Sequence, residues 1–272
     1  MKKMDLDLNN IYYPVGDDYA SCLRRLYNIN GSLNRDGIVM PNDLDGTRRL
    51  YQLLGSPLDR IPTIHVGGTN GKGTTSFKIA QCLKAAGLKT GLFVSPHISS
   101  FRERVQVNNE LISEEDVVEM LPKICKLCVE HGIPATLFEV TFALACLKFD
   151  TSQCEVAVIE VGLGGKFDAT NVISTTCSVL CSVSLDHTRI LGSTVEAIAR
   201  VKAGMCSLLI NLLLLQPTQL DDNYGSYDVN SWCNSSILCS HTYRYFQVLK
   251  TCFDRDGNSN RCPQGGGFQC RG

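Results

Sequence analysis

Charge of one sign is the first thing this chain lacks. Its 26 basic and 27 acidic side chains leave a formal net charge of −1. No net field is therefore available to attract nucleic acid or an acidic membrane surface. Long apolar runs are missing as well. The longest, Leu208 to Leu215, is interrupted by Asn211 and is too short to span a bilayer. Residues 1–12 hold Lys2, Lys3, Asp5 and Asp7 but no apolar segment of the kind that marks a secretory leader. Metal-type cysteine pairing is also absent. Cys125 and Cys128 form a CxxC, but inside a helix-like stretch and with no second pair. Eight of the 14 cysteines lie in residues 1–205, and Cys146, Cys177 and Cys181 sit in apolar runs where a thiol reads as a small core side chain. Those eight fit a reducing, intracellular setting.

What is present is concentrated in His65-Val-Gly-Gly-Thr-Asn-Gly-Lys-Gly-Thr-Thr75. Ile61, Ile64 and Val66 lead into it, and a helix-compatible run from Thr75 to Ala86 follows, closed by Gly87. Strand, glycine loop and helix in that order wrap backbone N–H groups around phosphate oxygens. Gly67, Gly68, Gly71 and Gly73 let the backbone approach a polyphosphate closely. Lys72 adds a mobile cation for the β- and γ-phosphates, and the Thr74 or Thr75 hydroxyl can reach a Mg2+. The common pattern G-x-x-x-x-G-K-[ST] is not met. Val66 stands where its first glycine would be, and Gly73 separates Lys72 from Thr74. A structural turn is the alternative; the preceding strand and the lysine favour a nucleotide.

Three regions are expected. Residues 1–60 read as helical, with apolar residues at helical spacing over Asp18–Ile29 and Asp43–Leu54, a stop at Gly55 and a loop over Gly31–Asn42. Residues 61–205 alternate strand and helix. The strand-like runs are Ile61–Val66, Thr90–Val94, Glu155–Val161 and Ser178–Val183. Helices are expected from the capping signal Ser113-Glu-Glu-Asp116 to His131-Gly132, over Leu137–Phe149, and from Ser193-Thr-Val-Glu196 to Ala203-Gly204. That alternation argues for an α/β fold, a parallel sheet with helices on both faces. Residues 206–272 keep neither period for long and read as a divergent, poorly ordered tail.

In open α/β sheets ligands bind beyond the carboxyl ends of the strands. The four runs end in the glycine loop, in Ser95-Pro-His97, in Glu160-Val-Gly-Leu-Gly-Gly165 and near Asp186-His187. Parallel strands would bring all four to one edge. Glu160 closes an apolar run, where a carboxylate needs a partner or a metal. A hydroxyl, a carboxylate and phosphate oxygens suit Mg2+, and an imidazole such as His187 is a less usual partner for it. The plain alternatives are a buried salt bridge for Glu160, a cap for Ser95 and an ordinary histidine for His187. Gly162, Gly164 and Gly165 fit an anion nest or a plain turn equally well. Asp168 and Asn171 fit substrate contacts or caps. Lys202, in the last turn of its helix, reads from position alone as structural.

Together these residues resemble the folylpolyglutamate synthase and dihydrofolate synthase family, among the Mur-ligase-like ATP-dependent amide ligases. The resemblance rests on Gly68-Thr-Asn-Gly-Lys-Gly-Thr74, Ser95-Pro-His97, Phe101-Arg-Glu-Arg104, Phe138-Glu139, Glu160-Val-Gly-Leu-Gly-Gly-Lys-Phe-Asp-Ala-Thr-Asn171, Leu185-Asp-His187 and Lys202-Ala-Gly204. Their order and spacing fit from about residue 40 to 205. The resemblance implies the P-loop domain of the Mur ligase central type, with ATP and Mg2+ as cofactors. ATP would be bound by Gly68, Thr69, Asn70, Gly71, Lys72, Gly73, Thr74 and Thr75, and Mg2+ by Ser95, Glu160 and His187. Lys202 matches a lysine that is carbamylated in some members, which reverses the structural reading. Lys72, His187 and Lys202 would be catalytic. Asp43, Gly46, Thr136, Phe167, Asp168 and Ala169 would contact the pterin substrate. The implied reaction phosphorylates a pteroate or folate carboxylate with ATP, and the amine of L-glutamate then displaces phosphate. Asn70 and the run Leu163–Asn171 lean toward dihydrofolate synthases and bifunctional bacterial-type enzymes.

The family also has a second, carboxy-terminal α/β domain; here the resemblance stops soon after Met205, and residues 206–272 match none of the further first-domain strands of family members. The expectation is a chain truncated at the C-terminus, its sheet lacking edge strands. Two function classes follow: a ligase of folate metabolism, or a truncated, non-catalytic nucleotide-binding fragment. A generic P-loop ATPase or kinase is a weaker third, since Glu160, His187 and Lys202 together favour the ligases. Small-molecule substrates, no nucleic acid, no membrane, a monomer, and the cytoplasm with the mitochondrion as alternative complete the expectation.

Overall fold

The computed structural model describes residues 7–12, 17–33, 43–206 and 211–214. Three helices come first: α1 (Leu8–Tyr12), α2 (Tyr19–Leu33) and α3 (Asp45–Leu53). An alternating series follows: β1 (Thr63–Gly67), α4 (Lys72–Ala85), β2 (Thr90–Phe93), β3 (Val105–Val107), β4 (Glu110–Leu111), α5 (Glu114–Glu130), α6 (Leu137–Thr151), β5 (Val156–Glu160), β6 (Cys177–Leu180), α7 (Thr188–Leu191), α8 (Val195–Ala203) and β7 (Asn211–Leu214). One sheet runs in the order β4-β3-β2-β5-β1-β6-β7.

The four expected strands are all present, and they pair in parallel as β2-β5-β1-β6. Strands buried on both faces read as continuous apolar runs, and β1, β2, β5 and β6 are buried along their whole length. Alternate residues serve opposite faces. On β5, Ala157 and Ile159 join a large core with α1, α2, α3, α5 and α6, while Val156 and Val158 join a smaller core with Ile79, Ala80 and Leu83 of α4. Helices thus cover both faces.

Two features differ from the sequence expectation. The sheet is mixed, because β3 and β4 add antiparallel beside β2. Asn108 and Asn109 join them, with φ of 51° and 66°; two consecutive positive φ values suit a tight hairpin, and asparagine tolerates them. Beyond β6, where no strand was expected, β7 pairs in parallel from Cys177↔Asn211 to Leu180↔Leu214. The rest of the expected tail after Cys206, and residues 34–42 of the expected loop, lie outside the described residues.

Caps fix several helix starts. Ser113 and Asp116 form a reciprocal capping box at α5, as the sequence signals, and Thr136 with Glu139 forms one at α6. At α8 the cap is Thr194, which accepts from the Ala197 amide, rather than the expected Ser193. Cys125 and Cys128 lie in the buried face of α5, and no described residues form a cluster of three or more metal-type ligands. Among the described residues no helix is long and apolar enough to cross a membrane.

Gly91 of β2 lies under the Phe149 ring of α6. A Cβ there would come within 2.7 Å of two ring carbons. Phe149 is fully buried and has no room to retreat. Gly91→Ala is therefore expected to destabilise the fold by about 1–3 kcal/mol, the usual penalty of overpacking, read as a lower denaturation midpoint with an unchanged slope.

Candidate active site

β1 delivers the glycine loop to the carboxyl edge of the sheet. Gly68 packs against the chain leaving β6: a Cβ on it would stand 3.0 Å from the Ser182 amide nitrogen. That close approach lets Thr69 N–H donate to Ser182 O (2.8 Å) and Asn70 N–H to Ser182 Oγ (3.0 Å). Thr69 Oγ1 in turn accepts from the Ser184 amide at 3.1 Å. Gly71, with φ of 80°, turns the chain into α4, which starts at Lys72, three residues before the expected Thr75. The open end of α4 thus presents the backbone of Lys72 and Gly73, the arrangement that attracts anions. Lys72 Nζ donates to Thr69 O at 3.2 Å. Thr74 is exposed, whereas Thr75 is half-buried and its side chain engages Cys181.

Glu160, at the end of β5, is buried. Its Oε2 accepts from the Ser95 amide at 2.8 Å, and its carboxylate oxygens lie 3.6 Å from where a Gly73 Cβ would be. Burial raises its pKa, while the Ser95 amide and the Lys72 ammonium pull it down. No salt bridge reaches it among the described residues. The loop after β2 is built on one acid. Glu103 accepts from the amides of Ile98 (2.7 Å), Ser99 (2.9 Å) and Ser100 (2.8 Å) and from the Ser99 hydroxyl. Arg104 Nε donates to His97 Nδ1 at 2.8 Å, which fixes that nitrogen as the acceptor.

Lys202 comes from the far side. Buried near the end of α8, it donates from Nζ to Gly68 O at 2.8 Å. Burial, then the nearby Lys72 charge, lowers its pKa to about 8. Its backbone supports the second glycine run, since a Cβ on Gly165 would come within 2.6 Å of Lys202 O. Close packing is what this glycine is for. Asn171 acts as a tie, donating to Lys166 O (3.1 Å) and Gly204 O (3.0 Å). Met205 closes the floor: its Sδ would stand 2.3 Å from a Cβ on Gly67.

The expected pterin contacts gather at a neighbouring place. α3 and α6 both pack on the 3-10 turn Ala169–Val172. Thr136 caps α6, and Glu139 bridges it to Thr47 of α3. Gly46 faces Ile133, and Asp43 Oδ1 accepts from the Asp45 amide at the start of α3. Phe167 is half-buried beneath the Lys166 ammonium, 5.0 Å from its ring centroid. Ala169 and Asp168 are buried, and Asp168 spends its oxygens on the turn itself, accepting from Leu163 N–H (2.8 Å) and Thr170 N–H (3.0 Å).

No family sequence model matches the chain. The dihydrofolate synthase/folylpolyglutamate synthase of Bacillus subtilis is 43% identical over 169 residues, 59% of this chain and 39% of that protein. A solved folylpolyglutamate synthase complex with AMPPCP and folate has a TM-score of 0.67 at 36% identity, covering 72% of this chain and 48% of that one. E. coli FolC in complex with DHPP and ADP has a TM-score of 0.63 at 32% identity, covering 72% of this chain and 46% of its own. The matched region is similar to the corresponding part of folylpolyglutamate synthases and dihydrofolate synthases. The chain spans less than half the length of each of these relatives.

Within the matched region the glycine loop, Lys72, Ser95, Glu160 and Lys202 form one connected cluster. His187 stands apart. It is exposed at the start of α7 with φ of 46°, and it pairs with Asp186 at 3.6 Å. Among the described residues it makes no hydrogen bond or ion pair with Ser95 or Glu160. Ser182, Ser184 and Met205 were not anticipated as supports. The polar Ser182-Val-Ser184 directly after a strand was the available signal; nothing local marked Met205.

Glu103 gives the site a pH signature. The loop amides, Ile98 first, lower its pKa to about 2 from an ordinary 4.5. A depressed acid contributes order above the ordinary value and loses it as pH falls through the lowered one. Slow amide exchange at Ile98, Ser99 and Ser100 is expected to persist at pH 5 and to disappear between pH 4.5 and about 2. In Glu103→Gln it should be weak at every pH.

Proposed function

We propose that this chain carries the ATP-binding part of a ligase that joins L-glutamate to a pteroate or folate carboxylate through an acyl phosphate. One observation supports the reading above the others. Lys72, the buried Glu160–Ser95 pair and the buried Lys202 converge on a single glycine loop at the open end of α4. A kinase-like phosphate site does not call for the Lys202 contact. The names of the relatives, and the AMPPCP, ADP, folate and DHPP in their complexes, support nucleotide and pterin ligands.

The donor chemistry fits Mg2+. Glu160 is a buried carboxylate without an ion pair among the described residues, a costly state that a divalent cation would relieve. Ser95 would add a second hard oxygen and His187 would approach from the β6 side. Bound Mg2+ would neutralise charge on the phosphates. The amides at the start of α4 hold the polyphosphate, and Lys72, released from Thr69 O, follows the charge on the transferring group. Lys202, with its pKa near 8, holds a useful fraction of neutral amine for reaction with CO2. A carbamate there would add a carboxylate-like donor beside Gly68. Phe167, Ala169, Thr136 and Gly46, on or beside the turn that α3 and α6 pack against, would contact the pterin ring.

Lys72→Ala should weaken Mg-ATP binding about tenfold or more, as expected on losing a charged hydrogen bond worth ~1.5–3 kcal/mol, measured by titration calorimetry. Unchanged affinity would remove Lys72 from the phosphates. Phosphate release dependent on ATP and glutamate, with dihydropteroate and tetrahydrofolate in parallel, tests turnover. Release with dihydropteroate supports a dihydrofolate synthase, and release with tetrahydrofolate supports polyglutamylation. Mg-ATP binding without release would favour a nucleotide-binding unit that does not complete the reaction alone. A carbamate on Lys202 is expected as a new carbonyl resonance in 13C NMR under 13CO2, absent in Lys202→Met.

A further inference from the structure

His65 lies in the middle of β1, fully buried, facing the same side as its β6 partner Ser178 and its β5 partner Ile159. Its Nε2 is 2.8 Å from Thr170 Oγ1, while its Nδ1 has no hydrogen-bond partner among the described residues. Ser178 Oγ, on the adjacent strand at the same register and equally buried, has none either. Two orphaned polar atoms on paired residues of adjacent strands need an account, since buried polar groups are almost always paired.

The proton positions follow from the chain they terminate. Asp168 accepts backbone N–H groups on both oxygens, from Thr170 on Oδ1 and from Leu163 on Oδ2. That arrangement suits a carboxylate acting only as acceptor. Thr170 Oγ1 donates its single proton to Asp168 Oδ1. The hydroxyl is left to accept from His65, which places the imidazole proton on Nε2 and a bare lone pair on Nδ1. A water between Nδ1 and Ser178 Oγ would donate to the first and exchange a hydrogen bond with the second, the minimum of two partners that a buried water requires.

We propose that His65, as the neutral Nε2–H tautomer, is a positioning residue for the Asp168 turn, and that one buried water joins its Nδ1 to Ser178. Burial, which lowers the His65 pKa to about 3, agrees with a neutral ring. The strand that feeds the glycine loop thereby fixes the orientation of the turn bearing Phe167, Asp168 and Ala169. The consequence for a pterin rests on the function proposed above, but the hydrogen-bond chain does not, and its test needs no substrate.

The test is 15N NMR of the histidine-labelled 272-residue chain at neutral pH, without ligands. The expected spectrum shows His65 protonated on Nε2 and bare on Nδ1, with cross-relaxation from water to the ring Hε1 that is lost in Ser178→Val. A proton on Nδ1 would overturn the chain, because it requires a neutral Asp168 donating through Thr170 in the opposite sense. Absence of the water signal in the unsubstituted protein would overturn the water site. Amide exchange at Leu163 and Thr170 reads the positioning role. It should accelerate about tenfold or more in His65→Leu and stay slow in His65→Gln, whose amide can still donate to Thr170. Equal protection in both variants would refute that role. Should His65→Leu not fold, the tautomer decides alone.

Discussion

A buried ammonium resting on a backbone carbonyl, Lys202 Nζ on Gly68 O, is the contact on which this site turns. Neither partner is satisfied by its own element. The carbonyl belongs to a loop that has left its strand, and the ammonium would be costly to bury without an acceptor. Joining them brings α8 under the glycine loop. The Gly165 backbone can then lie on α8, and the turn that follows is set beside α3 and α6. One hydrogen bond thus connects the glycine loop with the turn that α3 and α6 pack against.

The loops around it share a logic in which acids organise backbone. Glu103 gathers the amides of Ile98 to Ser100, Glu160 takes that of Ser95, and Asp168 takes those of Leu163 and Thr170. Charge-assisted hydrogen bonds are stronger than neutral ones and hold loops that make few apolar contacts. The three acids differ in exposure. Glu103 is only half-buried and its pKa falls, whereas Glu160 and Asp168 are buried and theirs rise.

Much of this was legible in the sequence because the parallel strands are buried on both faces and read as unbroken apolar runs. The capping residues at Ser113 marked α5 equally well. The β3–β4 hairpin escaped because strands of three and two residues carry no usable period, although Asn108-Asn109 was a readable turn signal. Lys202 looked structural from its place in a helix until the family resemblance reversed that reading, and in the structure its burial against Gly68 separates it from an ordinary helix-end cation. His97 and Glu103 escaped for another reason: their roles exist only once the loop between them has closed. His65 read as part of a strand, since nothing in a linear sequence places Thr170 beside it.

The packing of Met205 beneath Gly67 reaches beyond this one chain. A side chain at position 67 and a long thioether at position 205 compete for the same space, with the would-be contact at 2.3 Å. The two positions lie far apart in sequence and are nevertheless coupled. A copy of this domain that replaces the glycine must either swing the flexible thioether aside or shorten residue 205. What is tolerated at one position thus depends on how freely the side chain at the other can move.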